Sequence, residues 1–108
     1  MKILDTLNPF SNYTPKLKVI EIDADTIEKA IKKAGDIPAG NIEFDWVLKN
    51  QNEARKILNQ DNIGYFFPST LSKDQISYVF WDKDKFMISA EKKDFAWSRS
   101  ISRIVLID

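Results

Sequence analysis

The sequence predicts an α+β domain in which two short helices pack on a mostly antiparallel sheet of about five strands. One segment has helical periodicity with signals at both ends, and several alternating runs are separated by polar turns. A hydrophobic content of 44% over 108 residues is enough for one core without disulfides or metal. We divide the chain into an N-terminal arm, residues 1–15, and a single domain, residues 16–108; one short helical turn is expected before Pro9.

The first half of the domain contains the clearest helix. Residues 16–22 alternate polar and apolar side chains and predict the first strand. Apolar residues then recur at helical spacing, at Ile27, Ala30, Ile31 and Ala34. Asp25 and Glu28 resemble a capping box in front of this helix, and Gly35 is expected to end it in a left-handed conformation.

The middle of the chain predicts a second strand and a second helix. Residues 42–46 alternate apolar and charged side chains, a strand pattern that runs into residues 47–48. Asn50 or Asn52 is expected to cap a short helix with one apolar face, made of Ala54, Ile57 and Leu58. The apolar run at residues 63–67 indicates a strand or a buried loop.

The C-terminal third predicts a three-stranded antiparallel meander. Residues 76–80 alternate, residues 82–85 form a polar turn, and residues 86–90 begin the return strand. A second turn near residues 92–94 leads into a last strand over residues 95–107.

The chain has no histidine and no cysteine. Histidine is the commonest general base and metal ligand, and cysteine is the most reactive nucleophile. Serine or cysteine triads, zinc fingers and disulfide frameworks are therefore excluded. We predict no catalytic residue and no enzymatic activity.

Charge and composition favour a cytoplasmic protein that binds neither nucleic acid nor membrane. The formal net charge is zero, and nucleic-acid binders usually carry a basic excess. No signal peptide or membrane span is evident in the sequence. Fourteen isoleucines against seven leucines, with thirteen lysines, fit an AT-rich bacterial or phage genome.

Two groups of acidic residues were weighed as metal sites. Glu21, Asp23 and Asp25 cluster after the first strand, but an EF-hand loop starting at Asp23 would place Glu28 and Ala34 where glycine and glutamate are required. Helix capping explains this cluster without a metal. We therefore predict no metal and no cofactor.

The second group loosely resembles the core of metal-dependent nucleases. Asp82 or Asp84 precedes an apolar strand that ends in Glu91, with Lys93 two residues later. In such cores an aspartate and a Glu-x-Lys pair bind Mg²⁺, and the lysine stabilises developing charge. The resemblance covers about a dozen residues and requires a following helix, where this sequence predicts a strand.

The last predicted strand carries the candidate partner-binding residues. Its alternation would place Trp97, Arg99 and Arg103 on one face, next to Tyr78 or Trp81 of the neighbouring strand. Tryptophan, tyrosine and arginine are enriched at the centres of protein interfaces. The same mixture could stack single-stranded bases. The third interpretation is purely structural, with Trp97 in the core and Arg99 and Arg103 as solvated charges at the edge.

These observations lead to three hypotheses for function. The first is a small protein-binding inhibitor, such as an immunity protein that neutralises a toxin or a phage-encoded inhibitor of a host enzyme, acting by steric occlusion. The second is a nucleic-acid-binding module that uses the C-terminal strand, and the third is the metal-dependent nuclease. The sequence does not fix the partner, the strand order or the oligomeric state.

Overall fold

The computed structural model describes residues 14–35, 37–70 and 74–108. The strands are β1 Leu17–Ile20, β2 Gly64–Phe66, β3 Gln75–Asp82, β4 Lys85–Lys92 and β5 Ser102–Ile107. The helices are α1 Ile27–Ala34, α2 Asn41–Lys49 and α3 Gln51–Arg55. The α+β class is confirmed. The predicted arm, residues 1–15, lies outside the described residues up to residue 13, as does the turn expected before Pro9.

The five strands form one mixed sheet in the order β1-β5-β2-β3-β4. Neighbouring strands are antiparallel except β2 and β5, which run parallel. β5 lies inside the sheet, between the first and second strands of the chain. Its continuous apolar run, residues 104–107, suits a strand that is buried on both faces.

Helices cover both faces of the sheet. On the face covered by α2 and α3, called here the α2 face, Val105 of β5 packs in one cluster with Val47 and Ala54. On the opposite face, called the α1 face, Ile104 packs in a second cluster with Ile27. The two clusters follow the alternation of β5, so this strand contributes to both layers of the core.

The first helix forms where the sequence predicts it, but a different residue caps it. Thr26 has extended backbone angles, and its Oγ1 accepts a hydrogen bond of 3.2 Å from the backbone N–H of Lys29. Asp25, the predicted cap, instead lies 3.5 Å from the Lys29 ammonium. Gly35 ends the helix at φ 68°, the left-handed conformation expected for it.

The strand predicted over residues 42–48 is wrong, because this segment is α2. Glu43 is 6% exposed, and its carboxylate accepts a hydrogen bond of 2.7 Å from the backbone N–H of Gly40. Gly40 is the N-cap residue, so this bond gives a partner to a backbone N–H at the start of the helix. Val47, one turn later, is fully buried. The charged residue that completed the strand pattern is thus the buried cap of a helix.

The helix predicted after Asn50 or Asn52 is present but short. Asn50 precedes α3, yet its side-chain amide donates to the carbonyl of Trp46 at 2.9 Å and so stabilises the end of α2. Of the predicted apolar face, only Ala54 lies within the helix; Ile57 and Leu58 follow it, and Leu58 is buried.

The predicted meander is half right. β3 and β4 form the expected hairpin, paired in unbroken register from Gln75–Lys92 to Asp82–Lys85. The strand predicted over residues 95–107 begins only at Ser102, and it pairs with β1 and β2, not with β4. Residues 95–101 form a loop instead. An apolar strand such as β5 gains more burial inside the sheet than beside the exposed β4.

Candidate functional site

A row of aromatic rings forms the floor of a groove on the α1 face. Phe66 of β2 and Tyr78 of β3 are cross-strand partners whose rings stack with centroids 4.6 Å apart. The ring of Phe80 continues the row, 6.1 Å from that of Tyr78. Cross-strand pairing on a pleated sheet brings these rings to the same face. Tyr78 and Phe80 are only half-buried, so the row is partly accessible.

Trp97 forms the wall of this groove. Its indole Nε1 donates a hydrogen bond of 2.8 Å to the carbonyl of Ile22, and its backbone N–H donates to the carbonyl of Asp25 at 3.0 Å. Its ring lies 5.4 Å from that of Phe66, and the residue is 7% exposed. Trp97 therefore has a fixed position and a satisfied polar atom.

The loop that carries Trp97 is bound to the start of α1. The backbone N–H groups of Ile27 and Glu28 donate to the carbonyls of Phe95 and Lys93, at 3.1 and 2.9 Å. These are two of the amides that a helix N-terminus leaves without intrahelical partners. The loop thus completes the helix, and the helix holds the loop in place.

The resulting groove has a volume of about 390 Å³. Gly64 lies in its floor, where a Cβ would meet the rings of Phe66 and Tyr78 at 3.3 and 3.4 Å. Phe95 and Ile101 line the groove with 55% and 56% of their surface exposed. Such a concave apolar site of this size is typical of pockets that bind an organic group.

The groove has one charged residue among the described residues that line it, Glu91. The other amide and hydroxyl side chains of the lining belong to Asn62, Tyr78, Ser98 and Ser102. The site is therefore suited to apolar groups that are uncharged or basic, and unsuited to anions.

The structure brings two of the five predicted partner-binding residues together in this groove, Tyr78 and Trp97. Trp81 lies on the α2 face, 5% exposed, with the Phe86 ring 5.0 Å away and the Arg55 guanidinium 5.0 Å above its own ring. It is part of the core and is not available to a partner.

The predicted arginines do not join Trp97 on one face. Arg103 pairs with Tyr65 across the strands, and its alternation places it on the α2 face. Its Nη1 donates to the carbonyls of Arg99 and Ser102, at 2.7 and 2.9 Å. Arg99 is exposed, and its Nε lies 3.1 Å from Oε1 of Glu21.

The predicted shared face fails because the chain turns between residues 97 and 102. The backbone N–H of Ile101 donates to the carbonyl of Ser98 at 3.2 Å, which breaks the period of two. Sequence reasoning consequently missed the groove residues Phe80, Phe95 and Ile101 as site candidates. The available signal was the presence of two large apolar residues within a serine-rich segment, which is unusual for a solvated turn.

The structure does not assemble either acidic group into a metal site. Lys33 Nζ donates to the carbonyl of Asp23 at 2.6 Å, so lysines of α1 surround the first cluster. Asp82 and Asp84 lie at the hairpin turn, and Glu91 lies near the other end of β4, about 20 Å away at the usual rise per residue. Within the described ranges, no three acidic side chains come close enough to hold a metal ion.

Comparison with known proteins adds no functional information. No protein-family model, curated protein sequence or solved structure matches this chain. None of the helices in the described part of the chain is long and apolar enough to span a membrane.

Proposed function

We propose that the protein is a binding protein whose aromatic groove on the α1 face accepts an apolar segment of a protein partner, and that it inhibits this partner by steric occlusion. A toxin-neutralising immunity protein or a phage-encoded inhibitor of a host enzyme would act in this way. The observation that carries the proposal is the pair of exposed side chains, Phe95 and Ile101, on a fixed loop beside an open aromatic floor.

The groove offers enough apolar surface for a partner anchor. Fully burying a large apolar side chain contributes about 1.5–3 kcal/mol, and because Phe95 and Ile101 are 55% and 56% exposed, each would contribute about half of this. Because the loop is bound to α1 by backbone hydrogen bonds, little conformational entropy is lost on binding. Rigid aromatic and aliphatic groups of this kind form the energetic centres of interfaces.

The charge of the groove favours protein over nucleic acid. Stacked rings such as Tyr78 and Phe80 can hold single-stranded bases, but such sites also need a basic path for the phosphates. No arginine or lysine is among the described lining residues, and Glu91 would repel a phosphate. Arg99, one of the two arginines predicted to contact a partner, is paired with Glu21. We therefore expect an uncharged or basic apolar peptide to be the ligand.

The test uses a random peptide library displayed on phage and selected against the purified protein. The selected peptides are expected to share an aromatic or aliphatic anchor without neighbouring acidic residues. Their dissociation constants should rise at least about tenfold in Ile101→Ser and Phe95→Ala. The matched control is Ile37→Ser, because Ile37 is 64% exposed and does not line the groove.

Peptides that bind Ile101→Ser, Phe95→Ala and Ile37→Ser equally well would contradict the proposal. A parallel titration with single-stranded oligonucleotides tests the alternative. Micromolar binding of an oligonucleotide that is lost in Tyr78→Ala would identify the groove as a nucleic-acid-binding site instead.

A further inference from the structure

The outer edge of β4 carries a row of unpaired backbone groups. β4 ends the sheet, and no described strand pairs with its far side. The backbone N–H of Lys93 donates to the carbonyl of Asp74 at 2.8 Å, which identifies the odd-numbered residues as those bonded toward β3. The N–H and C=O groups of Phe86, Ile88 and Ala90 therefore point away from the sheet.

The middle of this edge, residues 86–90, lacks the features that usually prevent strand pairing. Natural edge strands are protected by prolines, bulges and charged side chains, especially lysine. The middle of β4 has none of these, and its register with β3 is unbroken over eight residues. Met87 and Ile88 are 42% and 54% exposed, on opposite faces of the strand. An edge of this length and flatness is a site for pairing with another strand.

We propose that β4 pairs antiparallel with β4 of a second copy, about a twofold axis through Ile88. In an antiparallel ladder, hydrogen bonds form between opposite residues whose N–H and C=O groups both point toward the other strand. On the free edge of β4 these are the even-numbered residues, so an even-numbered residue of one copy must lie opposite an even-numbered residue of the other. Centring the pair on Ile88 pairs residues 85–91 of one copy with the same residues of the other and uses the outward backbone groups of Phe86, Ile88 and Ala90. The two sheets then join into one continuous sheet, and Phe86 of each copy faces Ala90 of the other.

The charges of β4 complement one another in this register. Lys85 of each copy lies opposite Glu91 of the other. Twofold symmetry forms this pair twice, and opposite charges directly across a ladder stabilise it. Moving the axis to the next residue that keeps the hydrogen bonds, Ser89, would place Lys85 opposite Lys93 and lose this match.

The proposed dimer leaves the aromatic groove accessible. A twofold axis perpendicular to the joined sheet places both α1 faces on the same side. Two grooves would then open toward the same partner or toward two copies of it. The dimer does not depend on the function proposed for the groove, because it is formed by the strand edge alone.

Sedimentation of the purified chain tests the proposal, from micromolar to millimolar concentration. The wild type is expected to form a species of twice its 12.5 kDa mass. Lys85→Glu and Glu91→Lys each place like charges opposite one another twice, so each should raise the dimer dissociation constant about tenfold. The double variant restores both pairs and should return the constant to within about threefold of the wild type.

Ala90→Pro provides a second test that does not depend on charge. Its proline removes an outward N–H without breaking the ladder to β3, so it should abolish the dimer and leave the thermal unfolding of the monomer unchanged. A wild type that stays monomeric at millimolar concentration would overturn the proposal. A dimer that neither Ala90→Pro nor the charge variants weaken would also overturn it. If Ala90→Pro fails to fold, the charge variants alone test the proposal: recovery of the dimer dissociation constant in the double variant supports it, and no recovery overturns it.

Discussion

The indole N–H of Trp97 donates a hydrogen bond of 2.8 Å to the backbone carbonyl of Ile22, 75 residues earlier in the chain. This bond fixes the wall of the aromatic groove to the segment that leads into α1. Trp97 therefore shapes the binding surface without being its exposed anchor. The binding proposed for the groove requires this wall to stay in place.

Replacing Trp97 by phenylalanine should destabilise the protein by about 1–3 kcal/mol, because the carbonyl of Ile22 loses its donor while most of the ring burial remains. The free energy of unfolding in urea measures this loss. Phe95→Leu is the matched control, since Phe95 is 55% exposed and its change should stay within about 0.5 kcal/mol of the wild type. Equal stabilities for the two variants would show that the indole bond contributes nothing.

Thr26→Ala should lower the free energy of unfolding by about 1 kcal/mol, because the backbone N–H of Lys29 loses its cap. Thr26→Ser keeps the hydroxyl and should recover most of the loss. Asp25→Ala removes only an exposed ion pair, so we expect a change below about 0.5 kcal/mol. A larger loss of unfolding free energy in Asp25→Ala than in Thr26→Ala would identify Asp25 as the residue that caps the helix.

Tyr65 should make the stability of the fold decline at alkaline pH. Burial raises the pKa of its phenol above the ordinary value of 10.0, although the backbone N–H of Gln60, which donates to the hydroxyl at 3.0 Å, opposes the shift. The unfolded chain then releases this proton at a lower pH than the folded chain. The contribution is complete below pH 10.0 and is lost as the pH rises through the raised pKa.

Urea unfolding of the wild type and Tyr65→Phe between pH 8 and pH 11 isolates this contribution, since the two proteins differ in this hydroxyl alone. The difference between the two free energies should shrink as the pH rises above about 10. A constant difference across this range would contradict the assignment.

Arg99→Ala should change stability by less than about 1 kcal/mol, because its partner Glu21 is exposed and solvent screens the pair. It should also leave peptide binding in the groove unchanged. Glu21→Gln, which removes the partner charge, should have an equally small effect. A loss of peptide binding in Arg99→Ala comparable with that in Ile101→Ser would extend the contact surface to this ion pair.

The sequence predicts the parts of the fold that local chemistry determines. Helix α1 follows from its apolar spacing and from Gly35, and the β3–β4 hairpin follows from alternation around a polar turn. The prediction of a strand at α2 is wrong because Glu43 is the buried cap of a helix. A charged residue in an alternating pattern is normally expected to face solvent, so the sequence does not indicate this role. A period of two over five residues cannot distinguish a strand from a helix whose polar cap points inward.

The candidate site was harder to predict because it depends on contacts distant in the chain. Tyr78, predicted as a partner-binding residue, lines the groove. The partnership of Tyr78 with Phe66 requires the strand order, and the position of Trp97 requires the loop to bind α1. Neither of these long-range contacts produces a recognisable pattern in the neighbouring sequence. The turn at residues 98–101 also separates Arg103 from Trp97, which no alternation of side chains reveals.

Binding of a protein segment in the groove beside Trp97 can be followed by the indole N–H signals in a nitrogen-15 NMR spectrum. The three tryptophans report on different places: Trp97 on the groove, and Trp46 and Trp81 on the core of the α2 face. Titrating a peptide selected from the phage library should shift the Trp97 signal and leave the other two in place. A shift of Trp46 or Trp81 with no change at Trp97 would contradict the proposed binding.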